Sequence, residues 1–276
     1  LNSSLRKQKY GKRLLELAVF LIAAFFIFPV WMVVVNSFKT EKEAAFFGLG
    51  FPDKWQFVNY AKVFAEANIV QAMSNGLLLT GVIGALALLF ASMAAFAISR
   101  IGTKFTSFAY YLFMSGIVLP SAIIPTFFLL QRLNLINTYT GVIVVLLSMT
   151  MPVSVFLYTG FMKSVPKELD EAGIIDGCGK LRLFFVIILP LLRPATITVM
   201  IFNFMGVWND VTTQLYFSNA DKWTMPMMVY RFQGMYSSQW NLIFADLILT
   251  SIPVVLVYMI GQKYMVSGMT TGAVKG

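Results

Sequence analysis

The sequence predicts an all-α, polytopic membrane protein: six transmembrane helices interrupted by one charged, glycine-hinged segment. Composition is the first reason. The chain is 58% hydrophobic and only 12% charged, with a mean hydropathy of +0.77. A soluble domain carries roughly twice that charged fraction. The second reason is that long apolar runs recur along all 276 residues. The third is a contrast. The stretch ELDEAGIIDGCGKLRLFFVIILPLLRP holds Glu168, Asp170, Glu171, Asp176, Lys180, Arg182 and Arg193, broken by Gly177 and Gly179.

A helix needs about 20 apolar residues to cross about 30 Å of hydrocarbon. Six runs qualify: Leu14–Val35, Gln71–Ile98, Phe105–Leu130, Thr140–Phe161, Leu189–Val211 and Leu242–Tyr264. Glu16 alone interrupts the first. The basic opening before that run resembles a signal peptide. The run is too long for one and no small-residue cleavage site follows, so it reads as an uncleaved first span. Placing the N-terminus inside puts fourteen Lys and Arg on inner segments and seven on outer ones. That bias predicts both termini in the cytoplasm, with the charged stretch between spans four and five.

Two outer segments, 37–70 and 212–241, are long enough for short structure. Trp55, Trp208, Trp223 and Trp240 fall in or beside them. Either an interfacial aromatic belt or a surface for an external partner or a sugar ring fits that placement. Gly76, Gly81, Gly84, Ala85, Ala91, Ala94, Ala95 and Ala97 permit close helix packing. Pro120, Pro125, Pro152, Pro190 and Pro194 mark kinks or span ends. The sixteen methionines read as core filler.

Several chemistries are excluded. The chain has no histidine and one cysteine, Cys178, so it holds no internal disulfide, no His or Cys metal cluster and no Ser-His-Asp set. Gly179-Lys180 is followed by Leu181, and Ile174 stands where a phosphate loop needs its first glycine. The chain therefore carries no cofactor and hydrolyses no nucleotide by itself. A net charge of +9 would suggest nucleic acid in a soluble protein. Here the basic residues lie between spans and set topology against anionic lipid. Asp210 and Asp246 sit near the outer ends of spans five and six, and no acid stands convincingly at the midplane. Proton- and ion-driven transporters need such a group, so the energy is expected from another subunit.

The charged stretch reads as a joint. Pro166 suits a first helical turn. Glu168, Asp170 and Glu171 follow at the positive end of the helix dipole. Leu169, Ala172 and Gly173 share a small face. Gly177 ends the helix as a residue with positive φ does. A second helix, Lys180–Ile188, leads through Leu189-Pro190 into span five.

These residues resemble a family. Glu171-Ala172, Asp176-Gly177, Phe185, Ile188 and Leu189-Pro190 look like the EAA motif of ABC importer permeases, with Gly173 where the usual motif has a second alanine. The ending QKYMVSGMTTGAVKG is similar to that of the smaller maltose-type sugar permeases, and Trp208-Asn209-Asp210 recurs in carbohydrate permeases. The resemblance implies the type I importer permease fold over 1–276. It implies a coupling segment at 163–188, with Glu168, Glu171, Ala172, Gly173, Asp176 and Gly177 seated on an ATPase. It also implies a flexible, slim tail at 265–276, whose Gly268, Thr271, Gly272, Lys275 and Gly276 reach the ATPase interface. Trp208, Asn209 and Asp210 become candidate pore or substrate contacts, with interhelical hydrogen bonding an equal reading for them. The implied partners are a second homologous permease, an ATPase homodimer holding ATP and Mg, an external solute-binding protein, and a sugar or oligosaccharide. The implied mechanism is alternating access driven by the ATPase. A permease for another solute, such as glycerol phosphate, glycosylated peptides or polyamines, and a stand-alone secondary transporter or channel are the alternatives.

Overall fold

The computed structural model describes the backbone of residues 2–234 and 237–273, and the side chains of 12–234 and 237–262. The chain order is α1 (Asn2–Ser37), α2 (Glu41–Ala44), α3 (Val58–Glu66), α4 (Ile69–Ile101), α5 (Lys104–Val118), α6 (Ile123–Arg132), α7 (Tyr139–Met162) and α8 (Glu168–Ile175). Then come α9 (Lys180–Leu191), α10 (Arg193–Trp208), α11 (Thr212–Phe217), α12 (Val229–Phe232) and α13 (Trp240–Ala273). Among the described residues the only β pairing is an isolated bridge between Gln233 and Ser238.

Four helical segments are long and apolar enough to cross a membrane: Lys12–Ser37, Ile69–Ile101, Tyr139–Met162 and Trp240–Gln262. The third run is a bent pair, and the fifth is the second limb of another whose first limb takes in the expected Lys180–Ile188 helix. Lys104–Val118 and Ile123–Arg132 meet at 116°, and Lys180–Leu191 and Arg193–Trp208 at 78°. The count of spans is thus four, or six if each pair is one span.

Proline chemistry accounts for both breaks. Pro120 crowds the residue before it, and Leu119 is pushed to φ −74°, ψ 132°, which ends α5. Pro190 has no N–H to give the preceding turn. The helix around it loosens to a π-turn over Leu183–Ile188, with the Leu189 N–H bonded to the Phe184 carbonyl. Leu192 then leaves the helical region at ψ 7°, and Pro194 is tolerated in the first turn of α10. The 16 residues of α10 cover about 24 Å, short of about 30 Å of hydrocarbon.

The chain divides into two compact units. One comprises residues 1–68 and 229–250, the other 69–228 and 251–276. In the first, α1 leaves nearly all of its apolar surface exposed, as a lipid-facing helix does. Its end is held by Asn59, whose Nδ2 donates to the carbonyls of Ser37 and Lys39 at 2.9 Å and whose Oδ1 accepts from Asn241 at 2.9 Å. Trp55 gathers with Phe38, Phe51 and Phe57, and Trp240 packs on Phe47 and Phe244.

The second unit is built on α4 against α7. Leu79 and Ile83 meet Val142 and Leu146 at one end. Further along, Ala91 and Ala95 let Val155, Tyr158 and Met162 approach closely, and Leu183, Phe184, Ile188 and Val199 complete the core. Polar side chains inside it pair with each other. Asn203 and Ser154 bond at 3.2 Å, Tyr158 donates to Thr196 at 3.1 Å, and Tyr139 donates to Asn75 at 2.8 Å. Asn75 in turn donates to the carbonyls of Asp221 and Trp223, pinning that loop to α4.

The small residues of α4 differ in use. A Cβ at Gly76 would lie 2.9 Å from the Trp208 ring, whereas nothing lies within 4 Å of one at Gly84. Gly76→Ala is expected to lower stability by about 1–3 kcal/mol through overpacking. Gly84→Ala should be neutral or stabilising by up to about 1 kcal/mol, because Ala has the higher helix propensity. Thermal unfolding in detergent reads both, and equal losses would contradict the Trp208 seat.

Candidate functional site

The candidate site is the elbow from Pro166 to Leu191. Pro166 stands just before the helix, not in its first turn, and Lys167 is the N-cap of α8. Glu168, Asp170 and Glu171 occupy the first turn, where the N-terminal dipole favours carboxylates. The far end closes as a Schellman motif. The Cys178 N–H reaches the Gly173 carbonyl at 2.9 Å, the Gly177 N–H reaches that of Ile174 at 3.0 Å, and Gly177 has φ +80°. The sequence-predicted glycine stop is thus a positive-φ position.

The elbow is folded back on itself by Gly173. A Cβ there would meet the methyl ends of Leu183 at 2.7 Å and Ile187 at 3.0 Å. Of the small face expected over Leu169, Ala172 and Gly173, only Gly173 is buried, and what packs on it is the chain's own next helix. Leu169 and Ala172 stay exposed, as do Glu168, Glu171 and Asp176. Beside them stand two residues that the sequence reading passed over, Ile174 at 63% and Ile175 at 85% exposure. The adjacent Ile-Ile within the E-A-x-x-x-D-G stretch was their only signal.

A second feature was missed. Arg100, at the end of α4, makes an ion pair with Asp170, Nε to Oδ2 at 2.6 Å, with side chains 10% and 15% exposed. Its Nη2 also donates to the Val165 carbonyl at 3.0 Å. The elbow is therefore locked to α4 at its start and to α9 at its middle. Asp170 is spent inside the chain, while Glu168 and Glu171 are exposed and enter no ion pair among the described residues.

The other predicted residues lie apart from the elbow. Trp208 is 1% exposed, stacked on Phe204 at 5.4 Å and seated on Gly76. It is a packing residue of the second unit and not part of an interfacial belt. Asn209 is exposed and donates to the Met205 carbonyl at 2.8 Å. Asp210 accepts from the backbone and hydroxyl of Thr213, at 3.0 and 3.2 Å, at the start of α11. Burial pushes the Asp210 carboxyl above its ordinary range, and the Thr213 hydrogen bonds pull it partly back. In the tail, α13 continues as helix through Gly268, Thr271 and Gly272 to Ala273, where the glycines predict a flexible, slim segment. Lys275 and Gly276 lie outside the described residues. No group of three or more metal-ligating carboxylates or thiols occurs among the described residues.

The model of the family described as "binding-protein-dependent transport system inner membrane component" matches residues 87–271. The chain belongs to this family. It is 34% identical to a Thermoanaerobacterium thermosulfurigenes protein, named as a probable starch degradation products transport system permease, over 98% of this chain and all of that one. It is 30% identical to the melibiose/raffinose/stachyose import permease of Bacillus subtilis, over 96% of this chain and 97% of that one. It is 33% identical to the diacetylchitobiose uptake system permease of Streptomyces coelicolor, over 89% and 83%. Among solved structures, a chain of a bacterial ABC transporter that imports the acidic polysaccharide alginate superposes with a TM-score of 0.79. It is 18% identical, covering 94% of this chain and 98% of that one. The two share a fold.

Substitutions at the two elbow glycines separate its contacts. Gly173→Ala presses only on the ends of flexible side chains and is expected to be tolerated. Gly173→Leu should cost about 1–3 kcal/mol and open the elbow. Gly177→Val should cost a similar amount, about 1–3 kcal/mol, through backbone strain. Hydrogen exchange over residues 168–182 is the readout. Unchanged protection in Gly173→Leu would show that the helices are not held by this contact.

Proposed function

We propose that this chain is one of two membrane subunits of a carbohydrate importer, carrying a sugar or oligosaccharide into the cell by ATP-driven alternating access. The observation that carries the reading is the near full-length relation to permeases named for oligosaccharide transport. The second permease, an ATPase homodimer with its ATP and Mg, and an external solute-binding protein complete the assembly.

In this reading the elbow seats on the ATPase. Three features support that role: it is polar, it is fixed to the bundle by Arg100–Asp170, and it exposes Glu171 next to Ile174 and Ile175. Exposed isoleucines of this size gain from burial by a partner. The ATPase dimer closes on ATP, the elbow moves with it, and α4 and α9 carry that motion into the bundle. Gly268, Thr271, Gly272, Lys275 and Gly276 belong to the tail that approaches the ATPase interface. Asn209, exposed at the end of α10, is the best placed of the three polar candidates to meet solute. Both termini and the elbow are cytoplasmic in this scheme.

The direct test is to purify the assembled transporter with its binding protein and identify the bound solute by mass spectrometry. A saccharide is expected, and an organic phosphate, peptide or polyamine would overturn the carbohydrate assignment. For the joint, Glu171→Arg should weaken ATPase retention on purification more than Glu168→Arg. Truncating one partner of a buried interfacial charge pair costs about 2–5 kcal/mol, against about 0–1 kcal/mol for an exposed one. Normal assembly and transport with Glu171→Arg would remove Glu171 from the contact. For orientation, Ala220→Cys in a Cys178→Ser background should be labelled by an impermeant thiol reagent in intact cells. Labelling only after permeabilisation would invert the topology.

A further inference from the structure

A cavity of about 680 Å³ opens where the end of α4, the first turns of α5 and the end of α7 converge on the approach to α8. Arg100, Lys163 and Lys167 line it, with Ser99, Thr159 and Tyr111. Among the described residues, neither lysine enters an ion pair. Glu168 also lines the cavity and Asp170 balances Arg100, so one of the three positive charges is left over.

Its hydroxyls are unspent. On α7, Ser148, Thr150 and Ser154 each turn their hydroxyl back to a carbonyl of the preceding turn, at 2.7, 3.1 and 2.8 Å. Thr159, on the same helix and only 5% exposed, does not. Its Oγ1 and the Ser99 Oγ are buried without a partner among the described residues. A buried hydroxyl left unpaired is costly unless a ligand or water meets it.

The surroundings select the ligand. On α5, Tyr111 lines the cavity at 70% exposure, and its surface neighbours Phe108 and Leu112 are 64% and 61% exposed. In a membrane chain that apolar track is where an acyl chain runs. We propose that this cavity binds the headgroup of an anionic phospholipid. The phosphodiester, with its single charge, sits among Lys163, Lys167 and the free hydroxyls, and an acyl chain lies along α5. Basic cavities between helices at a membrane surface take such headgroups. The ammonium of a zwitterionic lipid meets the leftover positive charge and is disfavoured. The inference rests on membership of the inner-membrane family and is independent of which solute is carried. Because Lys167 caps α8, the lipid would brace the start of the elbow.

The test is native mass spectrometry of the full transporter in detergent, titrated with phosphatidylglycerol, phosphatidylcholine or inorganic phosphate. Phosphatidylglycerol is expected to stay bound where phosphatidylcholine is stripped. The double variant Lys163→Gln/Lys167→Gln should lose affinity by about thirtyfold, as two basic side chains near a membrane surface would contribute. Lys104→Gln, basic but outside the cavity lining, should keep it. Thr159→Val should weaken binding without altering subunit stoichiometry. Equal retention of the two lipids, or an unaffected double variant, would overturn the proposal. Displacement of the lipid by millimolar phosphate would also overturn it, in favour of a free-phosphate site.

Discussion

Arg100 bonds across the boundary between the apolar bundle and the polar elbow. Its Nε holds Asp170 and its Nη2 holds the Val165 carbonyl, so the last turn of α4 and the first turn of α8 share one side chain. Among the described residues this is the single ion pair. The planar guanidinium suits such a double role, since it offers several donors in a fixed geometry. Among the described residues no other ion pair or hydrogen bond ties the start of the elbow to α4. The remaining features of the elbow depend on that anchor. Gly173 seats α8 on α9 at a fixed angle, the Schellman turn at Gly177 reverses the chain, and Glu171, Ile174 and Ile175 are thereby held outward.

The bundle behind the anchor follows a different logic. Lipid gives helices no hydrophobic drive to associate, so close packing of small residues and hydrogen bonds between helices must do it. Ala91 and Ala95 supply the first against Val155 and Tyr158. The pairs Asn203–Ser154, Tyr158–Thr196 and Tyr139–Asn75 supply the second. Trp208 and Gly76 show the same economy: the glycine is present because an indole occupies the space a side chain would need. Prolines then place the two breaks, at Leu119 and at Leu192, where a straight span would otherwise run.

Much of this was legible in the sequence, for reasons that differ by element. The spans now seen in α1, α4, α7 and α13 are long apolar runs, and length alone identifies them. Spans three and five are located by hydropathy and their prolines mark kinks or span ends, but neither signal gives the size of the bend, 116° and 78°. Gly177 was legible because positive φ selects glycine. The Arg100–Asp170 pair is not, since its partners lie far apart in the chain and the acidic first turn that holds Asp170 does not say which cation it meets. Nor are Ile174 and Ile175: an apolar residue in a sequence reads as buried, and only the folded chain shows that the described residues leave them largely exposed. Trp208, Asn209 and Asp210 adjoin in the sequence as candidate pore or substrate contacts, and local geometry separates them into a core residue, a helix end and a cap. The tail glycines suggest a flexible, slim segment, and the described backbone there is helical through Ala273.

As the proposed joint, the elbow would be a rigid lever that moves with the bundle and not against it. Spin labels at Ile101→Cys, beside the anchor, and at Lys180→Cys, at the head of α9, measure this in a Cys178→Ser chain assembled with the proposed ATPase partner. The account predicts one narrow interlabel distance that is the same with ATP bound and without nucleotide, and that broadens in Asp170→Asn. A distance that shifts between nucleotide states in the unaltered elbow would contradict it.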